Sequence, residues 1–233
     1  MQNLKNLLNL RFLIVLSAVL LLVSLGNWQL KRLKEKEEFI TKIQSNAANS
    51  PRKITKDDTI ALYDKVELKG SFLKEKLFLY GRRSAYPEKD GYYLLSAFKD
   101  NFGNVYLVSR AWLAQSTKNK IADLIIPSDR EEMITAFVMP GEKKNFLMPS
   151  NDSKNSVWFT IDLDEAKTAL GVTNQGFYLM QIGAQDFSPE FYPLTANYLA
   201  VVRNDHLEYA LTWYSLAALL LLMYFIYSKK YLF

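Results

Sequence analysis

The chain has 233 residues, 49% of them hydrophobic and 14% aromatic, with a formal net charge of +5 and no cysteine. That length accommodates one globular domain plus membrane anchors. The missing cysteine excludes disulfides, CxxC redox chemistry and thiolate metal sites. The modest charge is spread along the chain and suits anionic lipid headgroups; it lacks the dense basic cluster of a nucleic-acid-binding surface.

Residues 1–11 form a short tail carrying Lys5 and Arg11, and residues 12–30 then run 19 positions without a charge. At about 1.5 Å rise per residue, such a run spans the roughly 30 Å hydrocarbon core of a bilayer. A cleaved signal peptide has a similar basic start and apolar core. Here the run is longer than a signal core, and it leads into Gly26-Asn27-Trp28-Gln29 rather than a small-x-small cleavage site. An uncleaved first transmembrane helix over 12–30 is therefore expected, with Trp28 in the interfacial belt. Residues 31–46 are charged helix formers with partial helical periodicity in Leu30, Leu33, Ile40 and Ile43, a solvated extension of the same helix. Asn46, Asn49, Ser50 and Pro51 then break it.

Residues 47–205 form a β-rich domain. Strands are expected at 66–72, 77–80, 92–98, 105–112, 132–138, 157–161, 177–182 and 198–202, with a hairpin loop at 100–104. Asp162 should N-cap a short helix, with Glu165 three residues on and Gly171 closing it. Long loops are expected at 114–131 and 140–156. Short strands separated by turn residues favour antiparallel pairing in a small barrel or sandwich. The fold class is thus a membrane-anchored α+β protein, two transmembrane helices flanking that domain.

Residues 209–227 are again 19 positions without a charge, followed by a tail, 228–233, carrying Lys229 and Lys230. Just ahead lies His206, the chain's single histidine. On a helix, His206, Tyr209 and Trp213 share one face, setting an imidazole, a phenol and an indole at the lipid boundary. Flanking charge leaves the orientation open. Lys229 and Lys230 outweigh Arg203, whereas Lys31, Arg32, Lys34 and Lys36 outweigh Lys5 and Arg11, and long domains translocate despite their charge.

Catalysis finds little support. There is no GxSxG, HExxH or P-loop motif, and one histidine without cysteine excludes a Cys–His pair. The neighbouring carboxylates Glu37/Glu38 and Asp57/Asp58 are adjacent in sequence and point apart. The chain is not expected to be an enzyme; a membrane-anchored hydrolase would lack a nucleophile–base set.

Several segments, in order, resemble the surfeit locus protein one family, assembly factors of cytochrome c oxidase. They are Gly26-Asn27-Trp28-Gln29-Leu30-Lys31-Arg32, Gly91-Tyr92-Tyr93-Leu94-Leu95, Leu107-Val108-Ser109-Arg110-Ala111-Trp112, and Pro149-Ser150-Asn151-Asp152 with Val157-Trp158-Phe159 and Asp162-Leu163. The last runs from Arg203 through Asn204-Asp205-His206-Leu207 to Tyr214. One departure stands out: where the family reads closer to Asn-Arg-Gly-Trp-Val-Pro, this chain has Ser109-Arg110-Ala111-Trp112-Leu113-Ala114, which removes the residues of a tight turn.

The resemblance implies an assembly factor that binds haem a and aids its insertion into subunit I of the oxidase, with haem a synthase as a further partner. It implies that His206 ligates the haem iron, that both tails face the cytoplasm, and that the domain is periplasmic. The short tail does not look like an Arg- and Ser-rich transit peptide, so a bacterial plasma membrane is expected rather than a mitochondrial one. From the residues alone, His206 has two readings: a hydrogen-bonded interfacial side chain, or an axial ligand completing the four nitrogens of a porphyrin. Trp28, Tyr209 and Trp213 would line the macrocycle or serve as belt residues. Arg203 and Arg32 would pair with lipid phosphates or haem propionates, since a guanidinium fork matches a carboxylate. The rival function is a structural chaperone that grips the nascent oxidase subunit and never touches haem.

Overall fold

In chain order the elements are α1 (Gln2–Ala48), β1 (Arg52–Lys53), β2 (Lys65–Arg82), β3 (Asp90–Asp100), β4 (Val105–Ala114), β5 (Glu131–Pro140), β6 (Val157–Trp158), α2 (Leu163–Leu170), β7 (Phe177–Ile182), β8 (Phe191–Pro193) and α3 (His206–Leu232). They come from a computed structural model describing residues 2–56, 58–83, 88–117, 130–142, 148–152, 156–173, 176–183, 191–195 and 204–232. The chain divides into two units. Met1–Thr41 and Val201–Phe233 form a helical unit, and Lys42–Ala200 form the domain.

Both apolar runs fold as helices long and apolar enough to cross a membrane. The expected span at 12–30 and its charged extension at 31–46 are one uninterrupted helix, already helical from Gln2. The helices run antiparallel: Arg11 donates to the Tyr227 hydroxyl at 2.8 Å, Phe12 meets Tyr224 at 6.0 Å between ring centroids, and Tyr214 donates to the Asn27 carboxamide at 2.7 Å. Their seam is lined by small residues. Val19, Gly26, Ala210 and Ala217 are all buried, and each helix repeats its buried position after seven residues, the spacing of a coiled-coil seam. Small residues let apolar helices approach closely where lipid offers no hydrophobic drive.

In the domain, β2 is the central strand. The two strands expected at 66–72 and 77–80 are one 18-residue strand. Its first half pairs antiparallel with β5, its second half with β3 and, in parallel, with β6. Pairing with β3 begins at Gly70, before that with β5 ends at Ser71, and two extra residues between Phe72 and Lys76 form a bulge just beyond, which bends a strand and strengthens its twist. Pairing continues from β3 to β4, from β4 to β7 and from β7 to β5, which returns to β2. The sheet is mixed: most pairs are antiparallel, with short parallel pairs β1–β2, β2–β6 and β4–β7. β1 and β8 are absent from the expected strands, being two and three residues long, too short for a periodic signal. The strand expected at 198–202 lies outside the described residues.

The segment 109–114 forms no turn; it is the second half of β4. Leu94 pairs with Ala111 and Leu95 with Ser109, leaving Arg110 as the extra residue of a bulge. Its guanidinium lies 3.5 Å over the Phe72 ring and is buried. Trp112, also buried, donates its indole N–H to the Gly81 carbonyl at 3.1 Å. Gly91 is required beside it, since a Cβ there would sit 2.3 Å from the Trp112 ring.

The other family-like segments have equally local causes. The Asn151 carboxamide accepts from the Phe159 and Thr160 amides at 2.8 and 3.1 Å and donates to the Thr160 carbonyl, clamping the chain after the fully buried Trp158. Asp162 accepts from the Asp164 and Glu165 amides at 2.9 and 3.1 Å, and Gly171 closes α2 in the left-handed conformation at φ 66°. Both α2 ends match the expected caps.

Candidate functional site

The site lies where α3 begins. Asp205 accepts the first intrahelical bond, from the Tyr209 amide at 3.1 Å, so His206 opens the helix. Its Nδ1 lies 2.7 Å from Oε1 of Gln29, 177 residues earlier. Gln29 is only 9% exposed. A carboxamide in a closed helix seam is costly to leave without a partner, and His206 supplies one. Among the described residues, Nε2 of His206 has no hydrogen-bond partner. Two residues ahead, the Asn204 carboxamide oxygen is buried, also with no partner.

A second polar contact sits below the first. Tyr214 packs its ring on Gly26, where a Cβ would come within 2.6 Å of it, and bonds Asn27 through its hydroxyl. Gly26, Asn27 and Gln29 thus all engage α3, in a part of α1 that is otherwise apolar.

The residues expected to carry the site are placed as follows. His206 meets α1 through Gln29. Trp213 is half-buried, whereas Tyr209 is 55% exposed. Trp28 is 53% exposed; as the neighbour of Gln29 it points roughly 100° away around the helix, off the seam. Arg32 is bonded to Glu35 at 2.8 Å, with its side chain 53% exposed. Arg203 lies outside the described residues. No group of three or more His, Cys, Asp or Glu suited to a metal ion occurs among the described residues, so any metal held here would have to bring most of its own ligands.

Gln29 was not among the residues singled out from the sequence, although its signal was present. It is a carboxamide in an uncharged run, at the spacing of the buried Val19 and Gly26. Asn27 and Tyr214 carried no separate signal, because neither residue type indicates a partner without the pairing of the helices.

The chain matches the SURF1 family over residues 16–218. It is 43% identical to a SURF1-like protein of Rickettsia bellii over 94% of this chain and 90% of that one. It is 42% identical to the SURF1-like protein of Rickettsia conorii over 91% and 88%. A more distant relative, at 28% over 64% of this chain and 41% of its own length, is the cytochrome oxidase assembly protein SHY1 of Saccharomyces cerevisiae. The match runs from inside one apolar helix, through the whole β domain, to inside the other, so it reflects the full architecture rather than a shared module: the chain belongs to the SURF1 family.

Proposed function

We propose that this protein is a membrane-anchored assembly factor for cytochrome c oxidase that holds haem a through His206 and aids its insertion into subunit I, with haem a synthase as a further partner. Its membrane would be the bacterial inner membrane, with the domain periplasmic and both tails cytoplasmic. The assembly role is carried by family membership, in which a relative is named for cytochrome oxidase assembly. The haem role is carried by one observation: a lone histidine anchored across the helix pair by one ring nitrogen, with the other free of protein partners among the described residues.

The donor set fits the group. Haem a brings four porphyrin nitrogens and asks the protein for an axial ligand. A neutral imidazole with one nitrogen to spare supplies it. The unused Asn204 oxygen adds a hydrogen-bond acceptor. The interface also suits the rest of the molecule, since burying an apolar macrocycle yields about 25 cal/mol per Å² while its carboxylates keep access to water and to cations. Arg32 would serve a propionate only by leaving Glu35, its present partner.

The deciding experiment is purification of the full chain in detergent after co-expression with haem a synthesis. The native protein should carry a Soret band, and His206→Ala should lose the native band position while remaining folded and membrane-bound. Equal amounts of haem with unchanged spectra in both proteins would refute the ligand role and leave the structural chaperone as the function. Reporter fusions at residue 233 and within 114–131 should report opposite sides of the membrane; the same side for both would refute the topology.

A further inference from the structure

We infer that Gln29 is the positioning residue for His206: its carboxamide oxygen fixes the imidazole as the Nδ1–H tautomer, so that Nε2 is the nitrogen offered to a metal centre. The inference rests on the haem reading for its functional meaning and on local geometry for the tautomer.

A carbonyl oxygen carries no proton, so at 2.7 Å the shared hydrogen belongs to Nδ1. Neutral imidazole has only one N–H, and placing it on Nδ1 leaves the lone pair on Nε2. Free imidazole in a peptide exchanges between tautomers and rotates about its side-chain bonds. A ring tied to Gln29 does neither freely, because Gln29 is itself held on a buried position of a long helix. An outer partner of this kind fixes ring orientation and raises the basicity of the opposite nitrogen.

The contact also explains a cost. A glutamine in the seam of an apolar helix pair gains little from lipid or from its apolar neighbours, and a leucine would pack there without a polar group to satisfy. Helix adhesion is already served by the Tyr214–Asn27 bond and the small-residue seam. What glutamine adds, and leucine cannot, is an acceptor aimed at one nitrogen of the chain's single histidine.

That single histidine makes the test direct. The full chain is labelled with 15N-histidine and reconstituted in nanodiscs at a pH well above the ordinary imidazole value of about 6.5, where one pair of ring nitrogens reports the tautomer. The native protein should show Nδ1–H. Gln29→Leu should lose it, and Gln29→Glu, which keeps an acceptor, should retain it. Tyr214→Phe removes the other cross-helix bond and should leave the tautomer unchanged, separating loss of the acceptor from loss of helix pairing.

The same four proteins are then titrated with ferric haem. Gln29→Leu should bind about 10- to 100-fold more weakly, the usual effect of removing an outer partner, with a displaced Soret band that Gln29→Glu restores. An Nε2–H tautomer in the native protein, or native tautomer and affinity in Gln29→Leu, would overturn the inference. His206→Ala binding ferric haem as the native protein does would instead overturn the haem reading, and with it the positioning role, while the tautomer result remained readable in the haem-free protein.

Discussion

Gly26 offers the sharpest test of the helix pair. A Cβ built there would lie 2.6 and 2.7 Å from two atoms of the Tyr214 ring, against an ordinary contact that begins near 3.4 Å. The ring cannot simply swing aside, because its hydroxyl is bonded to Asn27, the very next residue on the opposing helix. Gly26→Ala must therefore break that bond or push the helices apart. Overpacking of this kind costs about 1–3 kcal/mol, and the lost interhelical hydrogen bond adds about 0.6 kcal/mol. Against this, alanine favours a helix over glycine by up to about 1 kcal/mol. The net expectation is a loss of about 1–3 kcal/mol.

The chain has no cysteine, so cysteines placed at 12 and 224, whose native rings meet, can carry a donor–acceptor dye pair. Energy transfer is then followed through an SDS titration in mixed micelles. Gly26→Ala should lower the midpoint, and in a Tyr214→Ala background it should become neutral or stabilising, since the obstructing ring is gone. A midpoint at or above native for Gly26→Ala with Tyr214 present would refute the close approach.

Two further outcomes concern the domain. Arg110 is buried, and burial pulls its pKa down to about 10. Glu132, the carboxylate that favours its charged form, has a buried oxygen with no hydrogen-bond partner. Arg130 also lies 3.9 Å from that carboxylate, so Arg110→Met removes only part of its compensation and should cost about 1–3 kcal/mol, with Glu132→Gln recovering some of the loss; tryptophan-monitored denaturation of the full chain reads both, and additive losses would refute the coupling. Asp58 accepts from the Thr55 amide at 2.6 Å and its hydroxyl at 2.8 Å, and the amide bond, the larger cause, holds its pKa below the usual carboxylate range. A depressed folded value stabilises the fold above the ordinary carboxylate pKa, and that contribution goes as pH falls through the folded value. Asp58→Asn should thus flatten the acid limb of the stability curve, and an unchanged limb would refute the role.

Much of this protein is legible in its sequence, because the signals are local. An uncharged run of 19 residues has one inexpensive fate near a bilayer, since a helix satisfies every backbone group within itself. Asp162 and Gly171 announce the ends of α2 through chemistry confined to one turn. The hairpin between β3 and β4 needs only its own turn residues. That His206 is the single histidine is also plain from the sequence, whereas a role as haem ligand comes only from the family resemblance.

What the sequence could not contain is distance between remote residues. Residues 66–72 and 77–80 read as two strands because the bulge between them interrupts the alternation, and only pairing with β5 on one side and β3 on the other makes them one. Arg110 reads as an ordinary residue of the strand expected at 105–112, yet pairing with β3 makes it a bulge with its charge buried on Phe72. At the site, periodicity places His206, Tyr209 and Trp213 on one face, but it cannot say which residue of α1 comes opposite. The antiparallel register decides that, set by small residues that let the helices close and by polar groups that must find partners inside the seam. It brings Gln29 to His206 and leaves Trp28, one residue away, pointing elsewhere.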